Sequence, residues 1–376
     1  MTVTPALRAP SYRSIRPGLK ALVAVVASGA LLVGCTNSGE ETPAGAAGAS
    51  GDSGGGEQVV REPSAGASGE GCTLESYGSG IEPLGLDSAV VGFSQSEPDA
   101  ASFRAAETKS IRDAAEAVGA ELIVTNANAE LPKQISDIQD LLNQGVELLI
   151  VAPVNSDGLE PALSAASDAG VPVITIDRKV TAEACQDYLT FIGSDFLEQG
   201  RRAADAMAEA TGGEGQVAIL LGSSGNNVTD QRNEGFKEQV QAEHPGLEIV
   251  EEQTGNFARD EGQTVTEQLL QSNPEIDAIY AHNDEMALGA VTAITAAGRQ
   301  PGTDVKIVSI DGTANAVQAI VDGQINAVIE SNPRFGPLAF QTAESFFAGE
   351  AIPEDIIIQD NEYTPDNAEA ELANAY

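Results

Sequence analysis

Residues 147–178 read ELLIVAPVNSDGLEPALSAASDAGVPVITIDR. Two short apolar runs, Glu147 to Ala152 and Val171 to Ile176, bracket an amphipathic segment from Leu159 to Ala169, and Gly170 stands where a helix there would stop. Strand, helix and second strand in this order form the repeating unit of a parallel sheet. The second run ends on Asp177-Arg178, two charged residues placed where an apolar strand gives way to a loop.

Working outward, the alternation covers the chain from about Ser88. Further strands are expected at Ala89–Phe93, Glu121–Val124, Leu189–Ile192, Gln216–Leu221, Glu248–Glu251, Ala278–Ala281, Lys306–Ile310 and Ala327–Ile329. Helices are expected at Phe103–Val118, Leu131–Gln144, Phe196–Ala210, Asp230–Ala242, Asp260–Gln271, Asp284–Ala297, Ala314–Asp322 and Phe335–Ala348, with Gly119, Gly145, Gly298 and Gly323 as further stops. Parallel sheets need both faces covered, so the pattern reads as doubly wound α/β. So many strands, in about 300 ordered residues, exceed one core and favour two lobes.

The ends of the chain obey different rules. Arg8, Arg13, Arg16 and Lys20 precede an apolar stretch from Ala21 to Val33, and residues 1–34 contain no acidic residue, the layout of a signal peptide. The apolar stretch falls short of the roughly 20 residues of a spanning helix. It ends at Leu32-Val33-Gly34-Cys35, which resembles a bacterial lipobox, so Cys35 is the expected lipid carrier. Residues 36 to about 71 are mostly Gly, Ala, Ser, Glu and Pro and read as a flexible tether.

The formal charge is −38 at pH 7. Such a chain repels nucleic acid, whose binding rests on Lys and Arg at phosphates. Beyond Cys35 only Cys72 and Cys185 remain, in a compartment where disulfides persist, and they are expected to pair. Two separate thiols are the alternative, because spacing alone does not bring them together. His244 and His282 are far apart in sequence, so a His-rich metal site is not expected, and no cofactor is called for.

Ligands of doubly wound sheets gather at the carboxyl ends of strands. Four groups stand there: Asp177-Arg178, Gly222 to Asn227, His282-Asn283-Asp284 and Asp311-Gly312. Two more belong nearby, Ser102-Phe103-Arg104 at a helix start and Arg232 early in another helix. Singly, each has a plainer reading: an exposed ion pair for Asp177 and Arg178, helix caps for Asn283, Asp284 and Asp311, a surface cation for Arg232, helix packing for Phe103. Gly222 to Asn227 lacks the Lys-Ser/Thr ending of a phosphate loop. Together the groups offer carboxylates that accept from hydroxyls, guanidinium and amide groups that donate, and a ring for a C–H face, which suits a sugar.

Ala281-His282-Asn283-Asp284-Glu285-Met286-Ala287-Leu288-Gly289-Ala290 and Val173-Ile174-Thr175-Ile176-Asp177-Arg178 resemble segments of the ribose-type periplasmic sugar-binding proteins that serve ABC importers. Val91-Gly92-Phe93-Ser94-Gln95, Arg104-Ala105-Ala106-Glu107-Thr108 and Ser309-Ile310-Asp311-Gly312 are similar to the galactofuranose binders of that group. The resemblance implies two doubly wound parallel-sheet lobes joined by a three-crossover hinge near Ile192, Ser331 and Gln359. It implies that Arg104, Asp177, Arg178, Arg232, Asn283 and Asp311 contact sugar hydroxyls, with Ser102 and Phe103 flanking. Phe103 stands where the galactofuranose binders carry Trp, the loop Ser96 to Ser102 is one residue longer, and Ser331 replaces a sugar-contacting Gln of the ribose binders. The sugar itself is therefore open, with a furanose or pentose preferred.

The expected organisation is a signal peptide (1–34), an anchor and tether (35–80), an N-terminal lobe (81–192 with 332–358) and a C-terminal lobe (193–331 with 359–376). The expected function is capture of one monosaccharide by a secreted monomer, lipid-anchored at the outer face of the membrane, for delivery to an ABC permease. A sugar-sensing receptor subunit is the main alternative. A sugar-modifying enzyme is disfavoured because no Ser/His or Cys/His set is apparent. A DNA-binding regulator would open on a basic helix-turn-helix, where this chain has a leader.

Overall fold

The computed structural model describes Arg61, Pro63 and residues 71–376. The leader and Cys35 lie outside the described residues. Two six-stranded sheets organise the rest. The first contains β1 (Val90–Gln95), β2 (Glu121–Asn126), β3 (Leu148–Val151), β4 (Val173–Ile176), β5 (Thr190–Gly193) and β11 (Asp355–Ile357), in the order β11-β5-β4-β3-β1-β2. The second contains β6 (Gly215–Leu221), β7 (Leu247–Thr254), β8 (Ala278–Ala281), β9 (Lys306–Asp311), β10 (Ala327–Glu330) and β12 (Glu362–Tyr363), in the order β12-β10-β9-β8-β6-β7. Apart from their last strands, the two orders are the same. Pairing is parallel throughout except where β12 meets β10.

The apolar runs form strands because both faces are buried. In β3, Leu148 and Ile150 enter one core cluster while Leu149 and Val151 enter the cluster on the opposite face. In β8, Ile279 and Ala281 divide from Ala278 and Tyr280 in the same way. Helices α1 (Ser102–Val118), α2 (Leu131–Asn143), α3 (Glu160–Asp168), α4 (Phe196–Thr211), α5 (Asn227–Glu243), α6 (Arg259–Ser272), α7 (Asp284–Ala296), α8 (Ala314–Val321), α9 (Gly336–Phe347) and α10 (Ala368–Glu371), with a short 3-10 turn at Leu86–Ser88, complete the described elements. Gly119, at φ 83°, ends α1 with its N–H on Ala115 and Glu116 carbonyls, the left-handed stop that glycine tolerates.

Three differences from the sequence reading bear on the site. Helix α5 begins at Asn227 rather than Asp230, because Asn226 caps it by accepting from Thr229 N–H at 3.1 Å. Strand β7 runs to Thr254 rather than Glu251, paired along β6 past a register shift at Val217/Ala218, and so delivers the turn that carries Phe257. The short strands β11 and β12 were not expected; three and two residues leave no readable alternation.

The chain passes between the sheets after β5, after β10 and between β11 and β12. At the second crossing Glu330 is fully buried and takes donors from Arg61 (2.6 and 3.0 Å), Asn361 N–H (2.8 Å), Asn332 Nδ2 (3.2 Å) and the Tyr363 hydroxyl (3.3 Å). Cys72 and Cys185 are joined by a disulfide that ties the segment before β1 to the β4–β5 connection.

Candidate functional site

In each sheet the strand beside the edge, β1 or β6, has its sequence successor on one side and the strand after that on the other. Such a reversal opens a crevice at the carboxyl ends of the strands. The two crevices face each other across one cavity lined by Glu97, Ala101, Phe103, Arg104, Asp177 and Arg178 from the first lobe. Val228, Arg232, Phe257, Asn283 and Asp311 line it from the second. The cavity has a volume of about 60 Å³, room for a few waters. The lobes also meet beside it, where Ser156 N–H donates to Gly225 O at 3.0 Å and Lys179 N–H to Asn227 Oδ1 at 3.0 Å.

On the first lobe, Asp177 sits one residue beyond β4 with φ 64°, a left-handed conformation that Asp tolerates better than most residues. Its Oδ2 lies 2.7 Å from Arg104 Nη1 and 3.7 Å from Arg178 Nε. Arg178 Nη1 donates to the carbonyls of Pro153 (3.1 Å) and Val154 (2.9 Å), just past β3. Its Nε is buried and makes no hydrogen bond. Both residues are nearly inaccessible, 5% and 2% exposed, which rules out the exposed ion pair. Arg104 also donates from Nη1 to Glu107 at 2.9 Å, and its guanidinium lies 5.0 Å from the Phe103 ring centroid.

On the second lobe, Asp311 ends β9 at φ 140°, strained for any residue but glycine. The strain is held by buried Asp284, which accepts from Ser309 Oγ (2.6 Å), Gly312 N–H (2.9 Å), and Thr313 N–H (2.7 Å) and Oγ1 (2.9 Å). Burial pushes the Asp284 carboxyl up to about 6 against those donors. Burial also raises the Asp311 carboxyl well above the usual range, with Arg232 Nη1, 3.7 Å away, opposing it. Arg232 is no surface cation: it is 3% exposed, donating from Nε to Gln199 (2.9 Å) and from Nη1 to the His282 carbonyl (2.6 Å).

Seven of the eight sugar-contact candidates line the cavity: Phe103, Arg104, Asp177, Arg178, Arg232, Asn283 and Asp311. Ser102 does not; it opens α1, and Ala101 before it takes the wall position. Asn283 combines both readings, lining the cavity while its Oδ1 caps α7 by accepting from Met286 N–H at 3.0 Å. Its neighbours act from behind: Asp284 braces the Asp311 loop, and the His282 ring is buried beside Tyr280. Of residues 222–227 none lines the cavity, and Val228 does. Gly222 matters differently, since a Cβ there would lie 2.0 Å from the Phe257 ring.

Glu97 and Phe257 were not anticipated. Glu97 lies in the loop after β1 that was read as one residue longer, with nothing there to single it out; Phe257 follows a strand whose end had been read three residues early. Among the described residues no cluster of His, Cys, Asp and Glu is arranged to hold a metal ion.

Residues 91–351 match the family described as periplasmic binding protein domain. The chain belongs to that family. Its architecture is the type 1 form, two parallel-sheet α/β lobes. As a member of the family the chain is 33% identical to the galactofuranose-binding protein of Escherichia coli over 287 residues, 75% of this chain and 90% of that one. A Mycobacterium smegmatis protein solved in complex with β-D-fucofuranose is 40% identical, with a TM-score of 0.73, covering 76% of this chain and 94% of that one. The periplasmic binding component of the arabinose ABC transporter from Shewanella, solved with α- and β-L-arabinofuranose, is 35% identical with a TM-score of 0.72, covering 75% and 94%. These relatives carry names of binding and transport, not of catalysis.

Proposed function

We propose that this chain captures one monosaccharide, a furanose or pentose by preference, between its lobes and presents it to an ABC import permease. The observation that carries this reading is the buried meeting of Asp177, Arg178 and Arg104 with Arg232, Asn283 and Asp311 around one cavity between the lobes. The unpartnered Arg178 Nε is a donor suited to a ring or hydroxyl oxygen, and Asp177 and Asp311 are acceptors for neighbouring hydroxyls. Charge-assisted hydrogen bonds of this kind contribute about 1.5 to 3 kcal/mol each, enough in combination to hold a ligand with little apolar area. Phe103 would cover the C–H face. Because the contacts are divided between lobes, a bound sugar favours the closed arrangement through differential contacts, and closure is what a permease can read.

A melting screen of the full chain in mild detergent against L-arabinose, D-galactose, D-fucose, D-ribose and D-xylose tests the reading. A rise in melting temperature with at least one sugar that can adopt a furanose ring is expected; no rise with any of them would overturn it. The same proposal places the protein at the outer face of the membrane through lipid on Cys35. Cys35→Ser is expected to move it from the membrane to the soluble fraction, and unchanged membrane association would refute the anchor.

A further inference from the structure

The first lobe already grips a carboxylate. Glu97 accepts from Arg104 Nε at 2.8 Å through one carboxylate oxygen and from Arg178 Nη2 at 2.9 Å through the other, while lining the cavity. Its backbone carbonyl takes the Asn126 side-chain amide at 2.6 Å, which fixes the loop. Burial works against its charge, but Arg178 and Arg104 outweigh it and hold the carboxyl well below the usual range. Two guanidinium donors converging on two carboxylate oxygens is the arrangement by which arginines recognise an acidic ligand. Here the chain fills that place itself.

We propose that Glu97 sets ligand charge: as an internal carboxylate on Arg104 and Arg178 it makes the cavity accept neutral sugars and reject the corresponding sugar acids. An acid entering the cavity would meet Glu97, Asp177 and Asp311 as neighbouring carboxyl groups and find both first-lobe arginines engaged. Discrimination then comes from an unfavourable contact with the wrong ligand as well as favourable ones with the right one. Arg178 holds Glu97 through Nη2, while its Nε makes no hydrogen bond and is open to a neutral oxygen. The inference deepens the sugar-capture reading and rests on it.

The test is titration calorimetry of the full chain and of Glu97→Gln with two pairs, L-arabinose against L-arabinonate and D-galactose against D-galacturonate. The wild type is expected to bind the neutral member of a pair at least 100-fold more tightly than the acid. Glu97→Gln, which keeps the shape and removes the charge, is expected to narrow that ratio at least 10-fold by weakening the neutral sugar and strengthening the acid. Equal weakening of both members, or an unchanged ratio, would overturn the inference. So would wild-type binding of an acid as tight as its neutral partner, an arm that decides even if the variant does not fold. Absence of binding to every member by the wild type would overturn this inference, and the sugar reading falls with it when the melting screen also shows no rise with any sugar; neutral-sugar binding without discrimination overturns the inference alone.

Discussion

The two lobes share one strand order, yet they hold their arginines by different means. In the first lobe Arg104 and Arg178 are braced by carboxylates, Glu97, Glu107 and Asp177, with contacts between 2.7 and 2.9 Å. In the second, Arg232 is braced by neutral groups, the Gln199 amide oxygen and the His282 carbonyl, and its carboxylate neighbour Asp311 stands off at 3.7 Å. One topology therefore presents a wall whose arginines are tied closely to carboxylates and, opposite it, a wall whose arginine and carboxylate stand further apart.

That contrast can be broken from either side. Arg178→Ala removes the Nε donor offered to the sugar, leaves Glu97 with Arg104 alone and strands the buried Pro153 and Val154 carbonyls, so sugar affinity measured by calorimetry is expected to fall by about 3 kcal/mol, roughly 150-fold. Arg232→Ala strands fewer acceptors and is expected to cost about 2 kcal/mol. An equal or reversed order would show that the ion-paired wall is not the more tightly coupled one, and unchanged affinity for Arg178→Ala would remove that residue from the site.

A smaller effect concerns the brace of the second wall. Burial raises the Asp284 carboxyl to about 6, above its ordinary unfolded value of about 3.9, so the folded chain binds this proton more tightly than the unfolded chain. The stability this contributes is full below the unfolded value and is lost as pH rises through about 6. Between pH 4.5 and 7 the loss is on the order of 1 to 2 kcal/mol. Asp284→Asn is expected to flatten that part of the profile of denaturant-measured stability against pH. A variant profile parallel to wild type would exclude Asp284 as its source.

Much of the fold was legible because strands buried on both faces are written as apolar runs, as in Leu148–Val151, and because glycines such as Gly119 mark helix ends. The site was legible where a polar residue interrupts a strand at its carboxyl end, as at Asp177 and Asp311. Glu97 had no such marker: it is one acidic residue among 57 Asp and Glu, in a loop without periodicity. Its arginine partners lie 7 and 81 residues away in sequence. Phe257 was hidden for a related reason, since its place in the wall depends on how far β7 follows β6 and on the missing side chain of Gly222.

Sequence by itself determined the alternating elements, the doubly wound class and the polar residues at strand ends, because these follow from burial and periodicity within short stretches of chain. Tertiary structure alone decided that Cys72 reaches Cys185, that Ser102 turns from the cavity while Val228 lines it, and that Glu97 fills the space between two arginines. Those facts depend on distances between segments far apart in the chain, which local patterning does not encode.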